Sequence, residues 1–230
     1  TFYFDEIQRV PGWESFARRL MDEGGMRLFL SGSSARLLSR EIATSMRGRG
    51  WEIVIHPFSF AEYLVHHGRV VPQDTRLLTT RQRTALDQAF GEYLNGGGFP
   101  EAQGLSRLER NELLQNYVDV ILLRDVIERH GIANAGALRQ IVRRLMSAPA
   151  GLFSVQKFFA EMKSQGIAVS RDTLHAMVGH LEDAFLLHTI TVATDSERRR
   201  NVNPRKCYAA DMALVHAYDR SGRANLGHAL

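Results

Sequence analysis

Of the 230 residues only one is cysteine, Cys207, so the chain cannot close an internal disulfide, and it suits a reducing compartment. No apolar run approaches the roughly 18 residues that a membrane-spanning helix needs. Internal repeats and low-complexity tracts are absent as well. Nine histidines occur, including His66-His67 and the pair His175 and His180. A spacing of five suits one helix face poorly, and no cysteine pair accompanies them, so they read as structural or surface groups rather than metal ligands. Net charge is small, with 29 basic residues against 25 acidic, and +4 does not by itself imply a nucleic-acid partner. The expectation is a cytoplasmic chain with no membrane partner.

What is present is apolar mass: 44% hydrophobic residues suffice for a core shared by one to three domains. The basic surplus is also localised. Residues 1–65 carry eight basic and eight acidic groups, whereas Arg198, Arg199, Arg200, Arg205 and Lys206 follow one another without an intervening acid.

The opening TFYFDEIQRV is an apolar run ending abruptly in Asp5 and Glu6. Chain ends are ordinarily frayed and polar, so the expectation is that a longer protein continues upstream of Thr1. Further patterns predict strands at TFYFD, MRLFLSG and WEIVIHPFS, with helices WESFARRLMDE and SARLLSREIATSM between them. Near-continuous apolar strands alternating with helices indicate a parallel sheet covered on both faces. Residues 66–150 read as helical, with Leu113, Leu114, Tyr117, Val118, Ile121 and Leu122 at helical spacing. The loop NGGGFPE interrupts this region, and Pro100 bars helix continuation there. Residues 151–230 then read helix, turn, helix, strand, basic loop, strand. Ser170 caps the second helix and Asp172 favours its N-terminal dipole.

An apolar strand ending in Asp-Glu offers what nucleotide hydrolysis requires beside its phosphates. The aspartate holds magnesium through its water shell, and the glutamate orients or deprotonates a water. Ser31 ends the next strand, where its hydroxyl reaches a γ-phosphate or that water. Arg47 and Arg49 precede the following strand, and an arginine reaching a neighbouring subunit's nucleotide contributes about 10³–10⁵ in rate. Structural alternatives stand beside each. Asp5 caps a helix with Glu6 solvated, Ser31 to Ser34 cap the helix from Ala35, and the two arginines decorate a turn.

Together FDEIQ, LFLSGSSARLLSREIATSMRGR, HPFSFAEYL, GGFPEA and LLRDVIERHGI resemble the bacterial and archaeal AAA-type ATPases whose core precedes a C-terminal domain of unknown function. The resemblance covers nearly the whole chain, with the motifs in the family's order. It implies an α/β fold class: a partial parallel-sheet AAA-type core (1–65), an all-helical lid or linker (66–150) and a winged-helix domain (151–230). It also implies that Asp5 and Glu6 match the Walker B acids, with Asp5 facing the metal. Ser31 matches the first sensor and Arg49 the arginine finger, a route to a homo-oligomer. ATP and Mg²⁺ are then the nucleotide and cofactor of the longer protein. The family's G-x-x-x-x-G-K-[ST] loop does not occur in these 230 residues, so no tight ATP binding is expected from them. A winged helix suggests DNA as partner, through Ser170, Arg171, Thr173 and His175 on the second helix and Arg198, Arg199, Arg200 and Arg205 on the wing. The competing reading is a non-catalytic DNA- or protein-binding module in which the acids are structural.

Overall fold

The computed structural model describes residues 1–32 and 50–218. They group into two compact units, one of residues 1–55 with 183–185, the other of residues 56–182 with 186 onward. Within the second unit the central helices pack against the residues that follow them.

In the first unit, β1 (Phe2–Phe4) pairs in parallel with β2 (Leu28–Leu30), joined by one 3-10 turn (Ile7–Arg9) and helix α1 (Trp13–Asp22). Period-two alternation puts Phe4, Leu28 and Leu30 against the buried cluster Ile7, Trp13 and Ala17. The opposite face differs from the expectation of a sheet covered twice. Tyr3 and Phe29, paired in register, stack with ring centroids 5.0 Å apart and stay largely exposed among the described residues. The expected third strand is also absent among the described residues: WEIVI has no ladder partner, and Trp51, Ile53 and Ile55 are exposed. An apolar, β-prone run becomes a strand only where a neighbouring backbone supplies hydrogen bonds. The helix expected from Ala35 lies outside the described residues.

The second unit is chiefly helical. Helices α2 (Phe60–His66), α3 (Thr80–Gly96) and α4 (Arg107–Ile121) each start at a capping box: Ser59 with Glu62, Thr79 with Gln82, and Ser106 with Glu109. A π-helical turn (Leu122–Glu128) extends α4 and contains Arg124 and Asp125. Leu114, Val118, Leu122 and Val126, each four residues apart, are fully buried. Helix α5 (Ala135–Met146) buries Leu138, Ile141, Val142, Leu145 and Met146 in a second stripe. Burying each such side chain stabilises by about 1.5–3 kcal/mol.

Beyond α5 come β3 (Leu152–Phe153), α6 (Val155–Ser164), α7 (Arg171–Asp183), β4 (Leu187–Ile190), α8 (Glu197–Val202), β5 (Arg205–Ala209) and α9 (Met212–Tyr218). The antiparallel sheet order is β3-β5-β4. Ser170 caps α7 as expected, its hydroxyl accepting from the Thr173 amide at 3.0 Å. The basic segment between β4 and β5, expected as a plain loop, contains α8 instead. Ser196 supplies the cap, its Oγ accepting from the Arg199 amide at 3.4 Å, so a local side-chain acceptor turns the arginine run into helix.

One buried acid ties this unit together. Asp211 caps α9 by accepting from the Ala213 amide and also accepts from the Gly98 amide, each at 2.7 Å. Gly98 in turn accepts from Phe58 N at 2.7 Å, and Tyr93 Oη donates to Phe58 O at 2.8 Å. The triple-glycine stretch is therefore a close-approach requirement. Gly97 has φ +74°, and a Cβ there would overlap the Asp211 carboxylate, while one at Gly98 would overlap the Phe58 carbonyl. Burial raises the Asp211 carboxyl above the usual range, and the two amide donors work against that rise.

Two outcomes follow. Asp211→Ala orphans two buried amide donors at roughly 1–3 kcal/mol each, so thermal or urea unfolding should show a loss of about 2–5 kcal/mol. A change below about 0.5 kcal/mol, within the surface range, would contradict the clamp. Buried Cys207, its thiol pushed up to about 11 by desolvation, should react with a disulfide reagent at pH 8 only as fast as the chain unfolds, and urea should restore the ordinary rate.

Candidate functional site

The parallel register Phe2↔Leu28, Tyr3↔Phe29, Phe4↔Leu30 makes Asp5 and Ser31 the next residues of adjacent strands. Backbone bonds continue the ladder past the strand ends. Ser31 N donates to Phe4 O at 2.9 Å, and Ile7 N donates to Ser31 O at 3.3 Å. Ser31 Oγ donates to Asp5 Oδ1 across the gap, with both residues exposed. Asp5 and Ser31, singled out separately in the sequence, thus meet at one pair of strand tips.

Glu6 follows at φ 50° and ψ 40°, a left-handed conformation uncommon for a residue with a side chain. That turn carries the chain from β1 into the 3-10 turn and lets Ile7 enter the core with Trp13. The half-buried Glu6 is the cap residue of this turn, yet its side chain makes no capping hydrogen bond. Ser34, Arg47 and Arg49 lie outside the described residues.

The donor set at the tips is one carboxylate and one hydroxyl. Hard oxygen donors suit magnesium, which is characteristically held by one or two carboxylates with water and phosphate completing its shell. Asp5, exposed and bonded through one oxygen to Ser31, fits that limited role. No group of three or more histidine, cysteine, aspartate or glutamate side chains that could hold a metal occurs among the described residues.

The residues expected to meet nucleic acid fall on α7, α8 and β5. On α7, Leu174, Met177, Val178 and Leu181 are buried, and Arg171, Thr173 and His175 are exposed. Arg171 is held to α6: its Nη1 donates to Gln156 Oε1 at 3.4 Å, and its guanidinium carbon sits 5.8 Å from the Phe159 ring centroid. Arg198 and Arg199 are exposed on α8. Arg200 shares that helix, but its side chain lies outside the described ones. Arg205 opens β5, opposite Phe153, and is half-buried.

Two clusters escaped the sequence reading. Asp211 is a lone acid between apolar runs, and the signal that could have found it is the N-cap pattern of an acid before MALVHA. It borders a cavity of about 310 Å³ with Phe90, Tyr93, Tyr208 and Met212. A larger groove of about 990 Å³ is lined by Arg139, Arg143 and Arg144 of α5, facing Asn111, Gln115 and Asp119 of α4. Arg143 and Arg144 are adjacent, but Gln140, Ile141 and Val142 separate them from Arg139, so no longer charge run marks the groove.

No helix among the described residues is long and apolar enough to cross a membrane. Compared with known proteins, residues 1–64 match the family described as "AAA domain", and residues 87–224 match "Domain of unknown function (DUF8612)". An uncharacterized protein of Methanocaldococcus jannaschii is 33% identical over 212 residues, 92% of this chain and 47% of the relative. One from Haemophilus influenzae is 31% identical over 187 residues, 81% of this chain and 44% of the relative. The chain therefore spans about half the length of the curated relatives it matches. A solved Walker-type ATPase of Pyrococcus abyssi aligns with 94% of this chain and 62% of its own, at 17% identity and TM-score 0.47. With the match over residues 87–224 covering more than half of its length, the chain belongs to the DUF8612 family, and its residues 1–64 match an AAA domain.

Proposed function

We propose that residues 1–64 form the acid-bearing half of an ATP-hydrolysing site, and that the longer protein is an AAA-type ATPase. The observation that carries this reading is the Ser31 to Asp5 hydrogen bond across adjacent parallel strand tips, within the stretch matched by the AAA domain. Asp5 would hold magnesium, which would supply charge neutralisation, while the hydroxyl of Ser31 orients that carboxylate and Glu6 takes the proton of the attacking water. The turn at Glu6, with its left-handed backbone, directs the chain away from Asp5 and into the core at Ile7. Arg49 is assigned the arginine finger, acting on the nucleotide of a neighbouring copy.

The phosphate cradle of such a site comes from a glycine-rich loop with its lysine, and no such motif occurs in residues 1–230. Two carboxylates alone repel a triphosphate, so these residues do not bind ATP tightly through the strand tips.

A second reading concerns residues 135–209. The order α5, β3, α6, α7, β4, β5 and the sheet order β3-β5-β4 support a winged helix with α7 as its reading helix. Exposed Arg171, Thr173 and His175 on α7, and exposed Arg198 and Arg199 between β4 and β5, support DNA as its partner.

In the full-length gene product, Glu6→Gln should lower ATP turnover about 10²–10⁴-fold while nucleotide binding persists. Turnover within about twofold of wild type would remove the general-base role. A fluorescent-ATP titration of residues 1–230 should show no sub-micromolar binding, and such binding would refute the assignment of the cradle to other residues. For the second reading, duplex binding should fall with salt at a log–log slope of about −3 to −4 if Arg198, Arg199, Arg200 and Arg205 all meet phosphates. Neutralising Arg198 and Arg199 should reduce that slope by about 2, and an unchanged slope would remove the wing from the interface.

A further inference from the structure

We propose that the groove between α4, α5 and α9 binds a compact polyphosphate, either pyrophosphate or the phosphate groups of a nucleotide, on Arg143 and Arg144. This site shares no residue with the strand tips or with the expected DNA-reading helix. It lies wholly within the stretch that defines the family.

The groove's charge is uneven. Arg139 pairs with Asp119, Nη1 to Oδ1 at 3.2 Å, and both side chains are about half exposed. Arg143 and Arg144 carry no such partner: neither guanidinium makes an ion pair or hydrogen bond among the described residues. Two uncommitted cations therefore stand on one wall of a cavity of about 990 Å³. Their planar, forked donors match phosphate oxygens two at a time, which a solvated lysine would not do.

The facing wall is polar and held in place. Asn111 and Gln115 are one turn apart on α4, and Gln115 Nε2 donates to Ala217 O at 2.6 Å, which fastens the end of α9 to the groove. Tyr218, half-buried at that end, offers a ring for a base to lie against. Burial, and then Asp119, raise its phenol above the usual range, while Arg139 and Arg143 oppose the rise, so the ring stays neutral at physiological pH. Asn111 adds an uncharged donor. A volume on the scale of a small-molecule site, two free guanidinium groups and a neutral aromatic wall form a set that selects a short, highly charged anion.

The experiment is calorimetric titration of residues 1–230 with pyrophosphate and with ATP at low salt. Dissociation constants on the order of tens of micromolar are expected. Arg143→Gln with Arg144→Gln should weaken binding by at least about tenfold at an unchanged melting temperature, since each charge-assisted contact is lost outright. Asp119→Asn is an independent lever: it releases Arg139 and removes the one acid, so binding should tighten several-fold. Asp5→Asn and Glu6→Gln should leave these affinities unchanged, which keeps a failure of the groove separate from a failure of the strand-tip reading. Absence of heat with both ligands at millimolar concentration would overturn the proposal. So would equal binding by the double variant, or tighter binding of a single-stranded oligonucleotide through the same two arginines.

Discussion

The larger unit depends on one carboxylate. Asp211 bonds at once to an amide 113 residues earlier, at Gly98, and to the second residue of its own helix, Ala213. A buried acid is tolerated only when its oxygens are satisfied, and here the satisfying groups belong to a loop that must be glycine to come close enough. The acid and the glycines therefore specify one another. Through Gly98 the link reaches Phe58, and through Phe58 it reaches Tyr93 on α3. The segments HPFSF and GGFPE are thus two sides of one polar junction.

Legibility followed the range of the forces involved. Ser170 announced α7 because a cap is a matter of three residues. The stripes of α4 and α5 were equally open to inspection, since helical periodicity is local. The strands TFYF and MRLFL were readable as apolar runs, whereas the hydrogen bond between Asp5 and Ser31 follows from their parallel register, which no local pattern states. WEIVI was misread for the complementary reason: its composition favours a strand, but a ladder needs a second backbone that composition does not supply. The arginine run at 198–200 was read as loop, but Ser196, a good cap, starts a helix there. Asp211 was missed altogether, since nothing within ten residues of it says that Gly98 is its partner.

At the strand tips, geometry and chemistry separate what proximity in sequence merges. Asp5 and Glu6 are adjacent letters, yet Asp5 continues the sheet and bonds Ser31, while Glu6 sits in a left-handed turn that starts a new direction. The conformational cost at Glu6, of order 1–3 kcal/mol for a non-glycine in this region, is offset locally by the burial of Ile7 with Trp13 and Ala17.

The arginines of α5 bring the question of charge back to where it began. A net +4 says little, because most guanidinium groups at a protein surface are solvated or paired. Arg76 with Asp74, Arg69 with Glu92 and Arg139 with Asp119 follow that rule. Arg143 and Arg144 lie in the last turn of α5, where a cation gains about 0.3–1 kcal/mol from the helix dipole. That gain accounts for basic residues at the position. It does not account for their lining a cavity opposite two amide side chains, with a tyrosine at its end. Dipole stabilisation would be served equally by lysines on open surface, whereas paired forks beside a polar wall are a recognition geometry. What distinguishes these two charges is therefore placement, and placement is set by the stripe of Leu138, Ile141, Val142 and Leu145 that turns the opposite side of α5 into the core.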